Sequence, residues 1–381
     1  MNRPIRPFIV FGTRPEAIKM APIVQAMRAD DAFAPIVCST GQHREMLQQV
    51  IEYFEIEPDI RLDVMTANQT LAALTARLMT AVDEAIERTE PDCVIVQGDT
   101  TTAMVGSMIA FYRQIKCVHI EAGLRTGDLQ APWPEEFNRR VVGITASVHC
   151  APTERARMAL LREGVDEESV HVTGNPVIDA LKWSVERERD RHPQWESKFS
   201  FLQGREFVLI TAHRRESFGR GFENMCEAIA ELAEMFPQIQ FVYPVHLNPN
   251  VQKPVNQILG DLPNVHLIPP SPYPEFVFLM DRCKIILTDS GGIQEEAPTL
   301  KKPTVVMRET TERPEAEDVN AIRLVGTNRE VIVDTMSELL SNSALYRSMQ
   351  VDVNPYGNGQ TASAVCEIVK RMFSFASKIA V

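Results

Sequence analysis

Long apolar runs are missing from this chain of 381 residues: nothing approaches the eighteen or so consecutive apolar positions of a membrane-spanning helix. Its start, MNRPIRPFIVFG, places only the four apolar residues FIVF directly before a glycine, too few for the core of a signal peptide. The expectation is a cytoplasmic protein with no membrane association. A basic field is missing too. Lys and Arg number 39 against 51 Asp and Glu, a formal net charge of -12, which argues against nonspecific nucleic-acid binding and against docking on an anionic membrane. Any anionic ligand must therefore be met locally. The seven cysteines, Cys38, Cys93, Cys117, Cys150, Cys226, Cys283 and Cys366, are odd in number, sit mostly in apolar runs and never form Cys-x-x-Cys, the pattern of buried reduced thiols. Also absent are Gly-x-Gly-x-x-Gly after the first strand, a Gly-Lys-Ser/Thr phosphate loop, His-Glu-x-x-His and any Cys/His cluster. A redox nucleotide, ATP hydrolysis and structural zinc are thereby disfavoured, and the expectation is no cofactor and no metal. The sequon Asn68-Gln69-Thr70 reads as chance in a non-secretory context.

What is present is a rhythm. Apolar runs of strand length recur at Phe8–Phe11, Pro35–Cys38, Cys93–Val96, Cys117–Ile120, Val208–Ile210, Phe241–Tyr243, Ile285–Leu287 and Thr304–Met307, with amphipathic stretches between them. That alternation predicts an α/β chain of parallel sheets flanked by helices. Between Trp183 and Arg205 the rhythm breaks into mixed charge without a strand, as on the surface of an interdomain junction. The expected division is residues 1–176, residues 177–358 after the Gly174-Asn175-Pro176 turn, and a last amphipathic helix in 359–381 that crosses back to the first domain.

In open parallel sheets functional groups gather beyond the C-terminal ends of strands. One such place is KIILTDSGGIQEE, Lys284 to Glu296, followed by TTERPE from Thr310. Here a buried strand runs into Asp289-Ser290-Gly291-Gly292 and then a helix. Glycines permit close backbone approach, a helix start offers unpaired N–H groups, and Ser290 adds a hydroxyl, so the segment reads as a phosphate site. Glu295 and Glu296 are acceptors for sugar hydroxyls, and Arg313 is a nearby cation. Together they point to a nucleotide diphosphate with its ribose.

The other strand ends carry different chemistry. Arg14 and Lys19 follow the first strand at a helix start, where two cations meet a diphosphate or merely decorate an exposed turn. Asp99, before Thr100, Thr101 and Thr102, is either a site carboxylate or part of a capping turn. Glu121 directly follows a buried run, and burial there raises a carboxyl pKa. Glu135 and Glu136 begin a helix after Pro132-Trp133-Pro134, one facing a cleft and the other capping. Carboxylates from adjacent loops supply acid–base chemistry. His213, flanked by Arg214 and Arg215, is placed to stabilise or protonate a leaving phosphate oxygen. His119, inside an apolar strand, reads as core.

The runs FGTRPEAIKMAP, QGDTTT, HIEAGLRTGDLQAPWPEEFNR, APTE, TGNPVIDAL, TAHRRESFGRGFEN, YPVHLNPNV, LTDSGGIQEEAP, TTERPEA, LVGTN and NPYGNGQ, spread over almost the whole chain, closely resemble the bacterial non-hydrolysing UDP-N-acetylglucosamine 2-epimerases. The resemblance implies a glycosyltransferase B-type fold, two Rossmann-like domains facing a central cleft with the last helix returning to the first. It implies reversible conversion of UDP-N-acetylglucosamine to UDP-N-acetylmannosamine, an isomerase step serving cell-surface polysaccharide biosynthesis, and a homodimer. By its motifs Arg14, Lys19, Asp99, Glu121, Glu135 and His213 line the reacting sugar and diphosphate. Phe276, Ser290, Gly291, Gly292, Glu296 and Arg313 hold uridine, pyrophosphate and ribose. Gln42 and Arg214 are the candidates for a neighbouring site at which substrate activates the enzyme. Three departures stand out: Gln97 where many members have His, Ser271 where a glutamine often reaches the nucleotide, and Val319-Asn320-Ala321 in place of an Ala-Gly-Thr-like run.

The implied chemistry is elimination of UDP to an enclosed 2-acetamidoglucal and re-addition, with Glu121 and Glu135 as the proton-transfer candidates, Asp99 as their partner or stabiliser, and the cations stabilising the diphosphate. Rival readings are a hydrolysing epimerase that releases free N-acetylmannosamine, a UDP-sugar glycosyltransferase of the same fold, and a non-enzymatic nucleotide-sugar sensor.

Overall fold

Short runs of β-branched and aliphatic residues that are apolar on both faces have one stable destination, a parallel sheet covered by helices on both sides. The computed structural model describes residues 3–41, 44–66, 69–214 and 217–374, and every named strand in it pairs in parallel. The strands are β1 Pro7–Phe11, β2 Ile36–Ser39, β3 Ile60–Arg61, β4 Cys93–Gln97, β5 Lys116–Ile120, β6 Val148–Ala151, β7 Val170–Val172, β8 Phe207–Thr211, β9 Gln240–Pro244, β10 Val265–Ile268, β11 Ile285–Thr288, β12 Thr304–Val306 and β13 Ile322–Leu324. They form a seven-stranded sheet in the order β3-β2-β1-β4-β5-β6-β7 and a six-stranded sheet in the order β10-β9-β8-β11-β12-β13.

Each sheet lies in its own compact unit. One comprises Met1–Ala180 with Tyr356–Val381, the other Leu181–Pro355. In each, the chain winds outward from a central strand and then returns to that strand's other side, so the strand order reverses between β1 and β4 and between β8 and β11. Loops leaving such a switch point diverge and leave room for a ligand. The loops in question are Gly12–Thr13, Gly98–Thr100, Ala212–Arg214 and Asp289–Ser290. Behind them Phe8, Val10, Val94, Val96, Leu78 and Val82 form the core of the first unit, and Ile210, Phe222, Tyr243, Leu287 and Ile332 that of the second.

All eight apolar runs are strands, but five further strands lacked the signal. Four of these, β6, β7, β10 and β13, carry His149, His171, His266 and Arg323 among their apolar residues, and β3 has only two residues. The segment from Trp183 to Arg205 also differs from a plain surface junction. It completes helix Pro176–Asp190 and adds helix His192–Lys198. Trp195 is buried with its Nε1–H donating to buried Glu188 at 2.7 Å, and Phe199 stacks on Phe278 at 5.9 Å. Two aromatics of this charged stretch, packed on Phe278 of helix Tyr273–Arg282, thus make a small core that its average polarity hides.

The closing helix Thr361–Ser374 packs on helix Arg14–Arg28 of the first unit. Asp179 receives its first free N–H groups, from Thr361 at 3.2 Å and Ala362 at 2.9 Å, the exchange that a helix start requires. Gly174, at φ +82°, lies against the returning chain so closely that a Cβ would sit 3.0 Å from the Tyr356 carbonyl oxygen. No helix among the described residues is long and apolar enough to cross a membrane.

The centre of the first sheet contains one polar pair. His119 of β5 is in register with His149 of β6, and the rings meet edge to face at 6.4 Å. Burial pushes their pKa values from 6.5 down to about 3 and about 4 respectively. Both are neutral when folded, and both take up protons on unfolding below pH 6.5. Stability is therefore full above pH 6.5 and falls as pH drops from 6.5 toward 4, with roughly 1.4 kcal/mol at stake per unit of each shift. Urea unfolding at pH 7.5 and pH 5 should show a lower midpoint at pH 5. His149→Phe should reduce that difference, and an unchanged difference would remove His149 as its source.

Candidate functional site

The first unit's switch point gathers a network around Glu121. The capping box at Thr13 and Glu16 opens helix Arg14–Arg28. The buried Glu16 carboxylate accepts the N–H groups of Gly12 and Thr13 at 3.0 and 2.7 Å and the Thr100 hydroxyl at 2.6 Å. Burial still raises its pKa on balance. This tie locks the loop after β1 to the loop after β4. One turn further along the helix, the Lys19 ammonium meets both Glu121 oxygens at 2.7 and 2.6 Å.

Glu121 itself has φ +61°, a left-handed backbone that non-glycine residues adopt rarely and at a cost of roughly 1–3 kcal/mol. Its side chain is only 5% exposed. Besides Lys19, the Gln97 amide donates to Oε2 and the Asn175 amide donates to Oε1 at 3.1 Å. An ammonium and two amide donors around one carboxylate favour its ionised form.

Asp99 has a different environment. Enclosure by the protein raises its pKa, Arg139 opposes that rise, and the neighbouring Glu121 charge adds to it. Arg139 reaches Oδ2 at 2.5 Å, and the Asn138 amide holds the Asp99 carbonyl at 2.9 Å. Both come from helix Glu135–Thr145. At its start the two glutamates separate in role. Glu136 is fully buried, accepts the Thr126 and Gly127 N–H groups at 3.1 and 3.3 Å and pairs with Arg140 at 3.1 Å, so it fixes the loop. Glu135 is half-buried beside it, and Arg14 is half-buried at the first position of its own helix.

The second unit holds the remaining residues. Asp289, fully buried after β11, accepts the backbone N–H groups of His213 and Arg214 at 2.6 and 2.7 Å. The Tyr243 hydroxyl donates to the Ala212 carbonyl at 2.6 Å, so the loop after β8 is held at three successive residues. His213 stacks flat on His246, ring centres 5.3 Å apart, with its Nδ1 3.8 Å from Asp289. Partial burial and the adjacent His213 lower the His246 pKa. Helix Gly291–Glu296 starts after Ser290, whose hydroxyl does not cap it. A Cβ on Gly291 would lie 2.7 Å from the Arg313 guanidinium and 3.4 Å from that of Arg214, so glycine is what lets two cations reach this helix start. Arg313 is oriented by Glu295 at 2.6 Å and Glu312 at 2.9 Å.

Glu295, expected to hold a sugar hydroxyl, is thus an almost fully buried anchor for Arg313; Gly292 and buried Glu296 share its helix. The Ser271 hydroxyl donates to Glu275 at 2.8 Å, and half-buried Phe276 follows on helix Tyr273–Arg282. Gln42, Arg215 and Asn68 lie outside the described residues, while Arg214 belongs to the Gly291 cluster. Arg139, Asn138, Asn175 and Asp289 had not been singled out. For Glu16 the Thr-x-x-Glu spacing was a readable signal. The others act from segments distant in sequence. Among the described residues no three His, Cys, Asp or Glu side chains gather as a metal site. A cavity of about 440 Å³, lined by residues such as Phe199, Phe207, Phe278 and Lys284, opens where β8 and β11 begin and contains none of the residues above.

Residues 25–370 match the family model described as UDP-N-acetylglucosamine 2-epimerase. The chain is 52% identical to the UDP-N-acetylglucosamine 2-epimerase of Yersinia pestis over 95% of this chain and 97% of that one. It is 50% identical to that of Escherichia coli strain K12 with the same coverage. Among solved structures, that of UDP-GlcNAc 2-epimerase from Neisseria meningitidis bound to UDP-GlcNAc superimposes with a TM-score of 0.92 at 45% identity, over 96% of this chain and 100% of that one. The Methanocaldococcus jannaschii enzyme in complex with UDP-GlcNAc and UDP gives 0.82 at 30% identity, with the same two coverages.

Removing the buried Asp289 carboxylate deprives two adjacent part-buried N–H groups of their acceptor. Asp289→Ala should destabilise the protein by about 2 kcal/mol or more, read as a lower urea midpoint, whereas Glu312→Ala at the rim should change it by less than about 1 kcal/mol. Equal midpoints for the two variants would contradict the anchoring role.

Proposed function

This chain belongs to the UDP-N-acetylglucosamine 2-epimerase family, and from that premise we propose that it interconverts UDP-N-acetylglucosamine and UDP-N-acetylmannosamine by inverting C2 without net hydrolysis. The C2 proton has no adjacent carbonyl to acidify it. Breaking the bond from C1 to the phosphate oxygen builds positive charge at C1, and loss of the C2 proton then gives 2-acetamidoglucal and UDP. Re-addition of UDP at C1, with a proton delivered to the opposite face of C2, completes the inversion and balances every atom.

The observation that carries this reading is the contrast between Asp99 and Glu121. Glu121 sits among donors from Lys19, Gln97 and Asn175 and is the carboxylate expected to stay ionised. Asp99, with a raised pKa, is the easier one to protonate. Neighbouring carboxyl groups that differ in how readily they take a proton are what a proton removal coupled to a proton delivery requires. Glu135 is the third carboxylate for the sugar, and Arg14 and Lys19 are cations for it and its diphosphate. On the second unit His213, Arg313 and the Ser290, Gly291 and Gly292 backbone neutralise charge as UDP departs, with Glu296 for the ribose, Ser271 and Phe276 toward the base, and Arg214 beside them. Preorganised donors of this kind are worth several kcal/mol each at a developing oxyanion.

We place the protein in the cytoplasm, where its seven buried thiols stay reduced. We also propose a homodimer. Phe137 and Ile144, 50% and 82% exposed and seven residues apart on one helix, support an apolar contact face. Ile144→Asp should shift the sedimentation coefficient toward that of a monomer; a wild-type monomer would refute the dimer itself.

Incubating the protein with UDP-N-acetylglucosamine in heavy water, followed by NMR, tests the reaction. UDP-N-acetylmannosamine with deuterium at C2 is expected. Free N-acetylmannosamine as the main product would replace this reading with the hydrolysing one, and an unlabelled C2 would remove it. Glu121→Gln and His213→Ala should each lower exchange by about a hundred-fold or more in a protein that still folds, His213→Ala with an unchanged melting profile and Glu121→Gln with a lower one from the loss of its ion pair with Lys19; near-normal exchange in either would cancel its role.

A further inference from the structure

We propose that His119 is a positioning residue for this reaction, its ring holding the Gly98 peptide so that Asp99 is presented beside Glu121. The inference rests on the reading of Asp99 and Glu121 as proton-transfer groups and adds a residue that touches neither substrate nor reacting atoms.

Gly98 is the pivot between β4 and Asp99. Its φ of +68° belongs to the left-handed region, and both of its peptide groups are tied to β5. The Gly98 N–H donates to the Ile120 carbonyl at 2.9 Å, and the Gly98 carbonyl meets His119 Nε2 at 2.8 Å. A carbonyl oxygen has no proton to give, so Nε2 carries the hydrogen and the ring is the Nε2–H tautomer. Nδ1 is then a bare acceptor, and no partner for it exists among the described residues. The ring is 1% exposed. A leucine or phenylalanine at this place would leave no nitrogen stranded, and a stranded buried acceptor destabilises the fold. The imidazole is therefore disadvantageous for packing alone, and what it provides in exchange is the bond to Gly98.

That bond acts on Asp99 directly. The carbonyl it holds belongs to the peptide that joins Gly98 to Asp99, so releasing it frees the orientation of the Asp99 backbone. Asn138 and Arg139 grip Asp99 from helix Glu135–Thr145, while His119 and Ile120 grip its peptide from β5. Glu121 directly follows that strand, and a Cβ on Gly98 would lie 3.6 Å from Glu121 Oε2. One strand end thus sets the positions of both carboxylates and couples them.

The experiment compares His119→Gln, His119→Asn and His119→Leu in the full-length protein, measuring kcat and KM for UDP-N-acetylglucosamine and, by calorimetry, the affinity for UDP. A glutamine amide reaches the place of Nε2, whereas an asparagine amide does not. The Gln variant should keep kcat within about three-fold of wild type, and the Asn and Leu variants should lose about ten- to a hundred-fold, the effect of a misplacement near 1 Å. KM and UDP affinity should change little. Equal kcat for the Asn and Gln variants, or losses confined to KM, would overturn the inference. A wild-type protein that performs no epimerisation would instead overturn the functional reading. Independently of any variant, ¹⁵N NMR of labelled histidine should find the His119 proton on Nε2; a proton on Nδ1 would sink the proposal whatever the kinetics.

Discussion

The first unit is organised around a charge that has to be kept out of water. Glu121 is buried, and a buried carboxylate is tolerable only when opposite charge and hydrogen-bond donors converge on it. Lys19 comes from the first helix, Gln97 from the end of β4, and Asn175 from the turn before helix Pro176–Asp190. Those three donors tie the loops of the switch point to one another and to the segment where the chain leaves this unit. The same turn is pressed against the returning chain, since the Asn175 N–H donates to the Tyr356 carbonyl at 2.7 Å. Disturbing Glu121 therefore loosens the place where the closing helix attaches as well as the acid–base cluster.

A second device recurs in both units. A carboxylate accepts two consecutive backbone N–H groups from a neighbouring segment: Glu16 from Gly12 and Thr13, Glu136 from Thr126 and Gly127, Asp289 from His213 and Arg214, and Asp179 from Thr361 and Ala362. Loops at strand ends have N–H groups that no ladder satisfies. An acid that takes two neighbouring ones restricts both residues, where a single bond leaves a pivot. For His213 and Arg214 this means that a loop, ordinarily the mobile part of a fold, presents its cations from a rigid base, the condition for electrostatic preorganisation.

Much of this was legible in the sequence, for a physical reason. A strand buried on both faces must be apolar throughout, so β1, β4, β8 and β11, the strands that create the switch points, were the plainest to read. Loops that follow them stood out because Gly98, Gly291, Asp99 and Glu121 interrupt apolar runs. Strands such as β6 and β13 were not legible, since a sheet tolerates a histidine or arginine where one face finds a partner or water. Partners were the least legible. Asn175 lies 54 residues from Glu121, and Asp289 76 residues from His213; nothing local marks either. His119 illustrates the limit best. Reading it as a core residue is correct for its burial and silent about the atom at its tip.

The left-handed backbone at Glu121 remains to be explained in energetic terms. Glycine would remove the strain and asparagine would lessen it, yet neither supplies a carboxylate. Turning the residue into ordinary β conformation would continue the strand and carry the side chain away from Lys19 and Gln97. The strain, roughly 1–3 kcal/mol, is smaller than the cost of breaking a buried ion pair, roughly 3–5 kcal/mol, so the pair dictates the backbone and not the reverse. The order of dependence follows. The charge is needed first, the donors fix where it must sit, and the backbone bends just past the end of β5 to put it there. Since His119 and Ile120 immediately precede that bend and hold Gly98, the strand end that aims Glu121 also sets the start of the Asp99 loop, and the two carboxylates can be moved apart only by breaking the bonds between the ends of β4 and β5.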